Sequence, residues 1–184
     1  SKVKRLPELM KFILKENPDI DVFVSGAGYG DFKSLENFSS LQIENFINLN
    51  LVSHIVLCRA IVAHMKSNGS GDIFILGSEA GVIGKKKATL YSAAKFGLRG
   101  FAQALRNEAG PAGVRVCLIN PGMVRSPFFD TLEFEPDGLE TNAIETEDIA
   151  KIVFDFLGTR RGTIIDEINL SPASKSLKFK KSSK

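Results

Sequence analysis

Apolar and polar positions follow two different periods along the chain. Leu6, Leu9, Met10, Ile13 and Leu14 recur every three or four positions, which predicts a helix over residues 5–15 with one buried face, stopped by Asn17-Pro18-Asp19. Val22-Phe23-Val24 is a short β-rich run ending at Ser25-Gly26-Ala27-Gly28, the form of a buried strand opening into a tight turn. From Ser39 or Ser40 to about Met65 there is neither proline nor glycine, and Ser39 and Gln42 have capping-box spacing, so one long, largely buried helix is expected. Asn68-Gly69-Ser70-Gly71 breaks it. Residues 72–76 then predict a second buried strand, 90–108 a helix and 114–119 a third strand. Residues 146–157 predict another helix, with Glu147 and Asp148 in its dipole-favoured first turn, and 163–170 a last strand.

Apolar strands alternating with helices need βαβ crossovers, so the expected class is α/β: a doubly wound parallel sheet with helices on both faces. With 43% hydrophobic residues in 184, the chain can bury the core of one domain. The formal charge of +3 comes from the end of the chain, where the last ten residues hold five lysines and no acid. Taking those five from 24 basic residues leaves 19 against 21 acidic ones, a net of −2. A mildly acidic body lacks the basic face that a phosphate backbone requires, so no nucleic-acid partner is expected. No run approaches the roughly 18 apolar residues of a membrane span, and residues 1–5 do not lead into a signal-peptide core, so no membrane partner is expected. Cys58 and Cys117 sit in apolar stretches, the pattern of a reduced, cytoplasmic setting. Residues 173–184 read as a basic, disordered tail attached to a domain over 1–172.

In an open parallel sheet the ligand lies at the carboxyl ends of the strands. The strand exits here are Gly26-Ala27-Gly28, then Gly77-Ser78-Glu79-Ala80-Gly81, then Asn120-Pro121-Gly122-Met123-Val124-Arg125-Ser126. The helix after the second strand opens with Tyr91-Ser92-Ala93-Ala94-Lys95, and the i, i+4 spacing puts Tyr91 and Lys95 on one face. A nearby ammonium lowers a phenol's pKa from about 10 and makes the phenol a usable proton-transfer group. Each feature also has a plainer reading. Tyr91 and Lys95 could be an exposed helix pair, Ser78 a turn serine and Asn120-Pro121-Gly122 a tight turn. Asn48 competes with Asn50, which is favoured, and His54 and His64 lack metal-ligand spacing and read as structural, so no metal is expected.

Ser78 thirteen residues before Tyr91, the Tyr91 to Lys95 pentapeptide, Asn50 in the long helix, Gly26-Ala27-Gly28 and Asn120-Pro121-Gly122, in that relation, make a set that resembles the classical short-chain dehydrogenases/reductases. The resemblance implies a Rossmann-like fold and an NAD(P)-dependent oxidoreductase interconverting a secondary alcohol and a carbonyl. It implies that Tyr91 exchanges the proton as general acid/base, Ser78 hydrogen-bonds the same oxygen, and Lys95 lowers the tyrosine pKa and holds the nicotinamide ribose. Asn50 would anchor a water in a proton relay. Pro121, Gly122, Met123, Val124 and Ser126 would pass the nicotinamide, and Gly26, Ala27 and Gly28 the adenosine ribose side. The implied cofactor is NADP or NAD, NADP being favoured, with a small-molecule alcohol or carbonyl as substrate and a homodimer or homotetramer as the assembly.

Two departures qualify the match. The family's first half, a βαβαβ unit with a glycine-rich phosphate loop, has no counterpart ahead of Val22, and the expectation is that roughly 60 to 80 residues of it are missing. Ser25-Gly26-Ala27-Gly28 also stands where the family has Asn-Asn-Ala-Gly, removing two amides. The segment from Pro127-Phe128-Phe129 to Pro136-Asp137-Gly138 occupies the place of the substrate lid, and its phenylalanines could equally be packing residues. The competing function is a non-catalytic binding or regulatory module that has lost its cofactor half, which the retention of Ser78, Tyr91 and Lys95 together disfavours.

Overall fold

Strand β3 (Val114–Pro121) is buried at all eight positions, so it needs a neighbour on each edge and cover on each face. The computed structural model, which describes residues 2–180, shows how both needs are met. One edge pairs in parallel with β2 (Gly71–Leu76) and the other with β7 (Glu167–Leu170). Strand β1 (Val22–Ser25) lies outside β2, giving four parallel strands in the order β1-β2-β3-β7. Each parallel step requires a crossover. The first is a continuous helical run made of α2 (Ser40–Ile47), a π-helical turn (Asn48–Val52) and α3 (Ser53–Asn68). The second is α4 (Thr89–Ala109) and the third α5 (Thr146–Leu157), while α1 (Leu6–Glu16) precedes β1 and packs on α3.

Side chains alternate across the sheet. Ile73, Ile75, Val116 and Leu118 join Met10, Cys58, Ile61, Met65, Leu98 and Leu105 in one apolar cluster under α1, α3 and α4. Phe74, Cys117 and Ile119 face the other way, against Phe156 of α5. The two cysteines therefore sit in clusters on opposite faces of the sheet, both free, and burial pushes both thiols up to about 12.

The expected elements are present, with four differences. The last strand is only Glu167–Leu170, because residues 163–166 run as coil with Ile164 facing solvent. The long helix keeps its Ser39–Gln42 capping box and ends at Gly69 in a left-handed conformation, φ 69°, but it is interrupted by the π turn. By length and apolar content Ser40–Asn68 is long enough to cross a bilayer, contrary to the sequence reading, yet Phe46, Cys58, Ile61 and Met65 on it belong to the core. The basic tail is also not featureless. Leu177–Phe179 forms β8, antiparallel to β5 (Phe134–Pro136), since alternating apolar residues and lysines suit a half-covered ribbon with Glu135 on the partner strand. The remaining tail residues, 181–184, lie outside the described residues. A second small pairing joins β4 (Val124–Arg125) to β6 (Ile144–Glu145).

Asp72 and Arg115 are register partners at the start of β2 and β3. Both are buried, and Arg115 Nε and Nη2 donate to the two Asp72 oxygens at 2.6 and 2.9 Å. Arg161 donates to the same carboxylate at 2.9 Å, and the Arg115 guanidinium lies 4.4 Å from the Phe156 ring centroid. Deleting one member of a buried pair strands the other charge. Asp72→Ala is expected to cost about 3–5 kcal/mol in urea unfolding, and the half-exposed Arg161→Ala about 1 kcal/mol or less. Equal losses in the two variants would contradict this account.

Candidate active site

The site forms where β2 and β3 end. Gly77 donates its N–H to Ile119 O at 2.8 Å, and the Ser78 N–H donates to Asn120 Oδ1 at 3.2 Å. A Cβ on Gly77 would lie 2.0 Å from that same oxygen, so only glycine lets the strand exit approach Asn120. The Ser78 hydroxyl accepts the Ala80 N–H at 3.1 Å and so caps the short turn Glu79–Gly81. That use of a lone pair leaves the hydroxyl hydrogen to be donated elsewhere. Gly81 is pressed against the backbone of Lys95, where a Cβ would meet Lys95 O at 2.8 Å, and this close approach sets the turn carrying Ser78 onto α4.

On α4, Tyr91 and Lys95 are both buried on the face turned to this junction. The Tyr91 ring is set among Phe32, Phe46 and Phe128, with centroids 5.2, 6.3 and 6.1 Å away. Burial pushes the Tyr91 hydroxyl above its ordinary value of 10, and the hydrogen bond to Ser78 pulls it down only in part. This differs from the expected lowering by Lys95. The ammonium is aimed at the Leu76 carbonyl, 2.9 Å away, with its nitrogen 5.7 Å from the Tyr91 ring centroid. Desolvation takes Lys95 down to about 8.

Ser78, Tyr91, Gly122 and Met123 come together on the wall of one cavity of about 400 Å³, with Phe128, Phe129 and Phe134 opposite. The phenylalanines of the segment expected to be a lid thus line the cavity as well as packing on one another. Pro121 ends β3, and the Gly122 N–H donates to Leu170 O at 2.8 Å. Val124 sits in β4 and the Ser126 hydroxyl donates back to Val124 O at 3.3 Å; neither lines this cavity. A second cavity of similar size, between residues 31–34 and 131–134, contains none of Ser78, Tyr91 and Lys95.

Asn50, fully buried in the π turn, has both ends of its amide engaged: Nδ2 donates to Phe46 O at 3.1 Å and Oδ1 accepts from Tyr29 N at 3.2 Å. A Cβ on Gly28 would come within 2.8 Å of that oxygen. Gly26 packs on Leu76, and Ala27 presents its carbonyl to His54 Nε2 at 2.7 Å. The other ring nitrogen of His54 accepts from the Ser25 hydroxyl at 2.7 Å. Ser25 and His54 together brace this strand exit, a pairing hidden in sequence by a separation of 29 positions. Glu79 also escaped the sequence reading. It holds Lys85 and Lys175 in ion pairs beside Ser78, and their hydrogen bonds outweigh the upward push of burial to keep the carboxyl below its ordinary value.

His54 is held neutral, lowered to about 4 from 6.5 by burial, with the Lys95 charge adding to the effect. The unfolded chain therefore takes up a proton near pH 6.5 that the folded one refuses until near pH 4, and stability falls as the pH drops through that window by about 3 kcal/mol. Thermal melts from pH 7 to pH 4 are expected to show this loss, and His54→Gln to flatten it; an equally steep profile in the variant would remove His54 as the cause.

Residues 1–136 match the family model for short chain dehydrogenases. A sepiapterin reductase of Chlorobaculum tepidum is 30% identical over 166 residues, covering 90% of this chain and 67% of that protein. A 3-oxoacyl-[acyl-carrier-protein] reductase of Buchnera aphidicola is 32% identical over 127 residues, covering 69% of this chain and 52% of its own length. A 3-ketodihydrosphingosine reductase of Bacteroides thetaiotaomicron is covered over 44% of its length, so this chain spans only part of the relatives it matches. Among solved structures, an alcohol dehydrogenase of Thermococcus sibiricus complexed with 5-hydroxy-NADP aligns with a TM-score of 0.83 at 23% identity, over 95% of this chain and 72% of that one. A metagenomic short-chain oxidoreductase in complex with NADP gives 0.78 at 25% identity, over 94% and 71%.

Proposed function

This chain belongs to the short-chain dehydrogenase family, and on that footing we propose that it carries the proton-transfer and substrate-binding half of an NAD(P)-dependent carbonyl reductase or alcohol dehydrogenase. The observation that carries the reading is the convergence of the Ser78 and Tyr91 hydroxyls on an apolar cavity with the Lys95 ammonium buried beneath them. An apolar pocket with a few convergent polar groups is where a small organic substrate binds.

The residues present suit the nicotinamide end of a dinucleotide. Lys95 is 5% exposed and has three N–H donors, yet among the described residues its one hydrogen bond is to Leu76 O. A buried ammonium with donors to spare matches ribose hydroxyls. Gly122 and Met123 border the same space, with Pro121, Val124 and Ser126 continuing along the β3 exit as further cofactor contacts, and Gly26, Ala27 and Gly28 are assigned the ribose on the adenosine side. NADP is the favoured form, in keeping with the NADP-bound proteins of similar fold. The cofactor supplies the hydride.

The chain's own groups handle the oxygen and the proton. A carbonyl oxygen placed between Ser78 and Tyr91 accepts both hydroxyl hydrogens. Tyr91, kept protonated across neutral pH by its burial, gives up its proton as negative charge builds on that oxygen. The Lys95 ammonium then stabilises the phenolate, while Ser78 keeps its hydrogen bond to the product oxygen. Asn50 holds the π turn against the Gly28-Tyr29 loop, and a relay water beside it belongs to the same proposal. Neutral-pH reduction is thus the direction that these protonation states favour.

Tyr91→Phe is expected to lower NADPH-dependent ketone reduction by about 100-fold or more, with a melting temperature close to that of the unsubstituted protein. Activity within tenfold of that protein would end the assignment. The reduction rate is expected to hold level between about pH 6 and 8 and to fall above about 8, where Lys95 loses its proton. Lys95→Met should be slow throughout and lack that alkaline limb; an unchanged limb in the variant would assign it to another group.

A further inference from the structure

We propose that residues 175–180 form the outer wall of the substrate cavity and select ring-bearing, apolar ketones or alcohols. The proposal rests on the oxidoreductase reading for its chemistry and on the tail's geometry for its place. In a ribbon, alternate residues share a face. Here Leu177 and Phe179 both line the cavity that holds Ser78 and Tyr91, while Lys178 between them pairs with Glu135, 3.9 Å away.

The segment is fastened on both sides of the opening. On the near side, Lys175 donates to Glu79, the residue after Ser78, at 2.7 Å, and the Ser174 N–H donates to Thr141 O at 2.9 Å. On the far side, the Lys180 N–H donates to Glu133 O at 2.8 Å, and its ammonium reaches Asp130 O at 3.1 Å. Between these fastenings Phe179 remains 72% exposed and Leu177 45% exposed. Two apolar side chains held open beside a cavity are an incomplete surface, and a two-stranded ribbon is marginal without something to cover. A planar hydrophobic group completes it. With its carbonyl at Ser78 and Tyr91, the rest of such a molecule lies along the ribbon face that the register partners Phe134 and Phe179 share, beside Phe128, where aromatic faces add to the gain from burial. A small aliphatic ketone leaves Phe179 uncovered.

The test uses the full protein with 2-acetylnaphthalene and 2-butanone as the two ketones. Trypsin cleavage after Lys175 and Lys178, followed by mass spectrometry in the presence of NADP⁺, should slow several-fold with 2-acetylnaphthalene and not with 2-butanone. In kinetics, the double variant Leu177→Ala, Phe179→Ala should raise KM for 2-acetylnaphthalene roughly tenfold with kcat within twofold, and lower the ratio of its kcat/KM to that of 2-butanone by a similar factor. Absence of protection, or an unchanged ratio, overturns the wall; preference of the unsubstituted protein for 2-butanone overturns the substrate class. Protection of the tail without turnover of either ketone supports the wall and counts against the oxidoreductase reading instead.

Discussion

A parallel sheet buried on both faces has no place for an unpaired polar group, and at the carboxyl end of β3 that constraint falls on Asn120. Its Oδ1 accepts the Ser78 N–H, and its Nδ2 donates to Glu167 Oε1 at 2.7 Å and Asn169 Oδ1 at 3.0 Å. One carboxamide therefore ties the ends of β2, β3 and β7 together. Glu167 in turn accepts from Arg99 at 3.0 Å, and Arg99 is on the helix that carries Tyr91 and Lys95. The serine and the tyrosine come from different elements, and this chain of hydrogen bonds fixes one relative to the other. Satisfying the backbone at the strand exit and placing the Ser78 and Tyr91 side chains are here a single requirement.

Charge inside the fold is kept sparse by similar means. Lys95 carries a positive charge in a nearly dry position, so a second cation nearby would be costly. His54, which feels the Lys95 charge, is kept neutral by its burial and meets Ser25 and Ala27 through its ring nitrogens. At the opposite end of the sheet Arg115 and Arg161 share Asp72. The charged residues that line the cavity are Glu79, Lys85, Lys86, Lys87 and Glu133, and Glu79 is neutralised by its ion pairs with Lys85 and Lys175.

Much of this was legible in the sequence because it is local or periodic. Apolar periodicity marked the helices, aided in the long one by a run without proline or glycine, β-rich runs marked the strands, and the spacing of Ser78, Tyr91 and Lys95 marked the candidate site. What escaped depends on contacts distant in sequence. The Ser25–His54 pair spans 29 positions and the Lys175–Glu79 pair 96. Charge density made the tail look unstructured, whereas three of its residues find complementary partners on β5. The sign of the Tyr91 shift was misread because the i, i+4 spacing shows that a lysine is near, but not that both groups are dehydrated and that the ammonium is turned to Leu76.

The π turn at Asn48–Val52 has a further consequence. Such a turn holds one residue more than an α-helical turn, and the surplus is taken up locally so that the helix on either side keeps its alignment. Excising Leu49 would let residues 40–68 run on as an ordinary α-helix, with Phe46 before the cut and Cys58, Ile61 and Met65 after it still facing the core. What would vanish is the inward turn of Asn50 toward Gly28 and Tyr29. A change in chain length of a single residue at this point would thus bear first on the contact of Asn50 with Gly28 and Tyr29, and only then on the core.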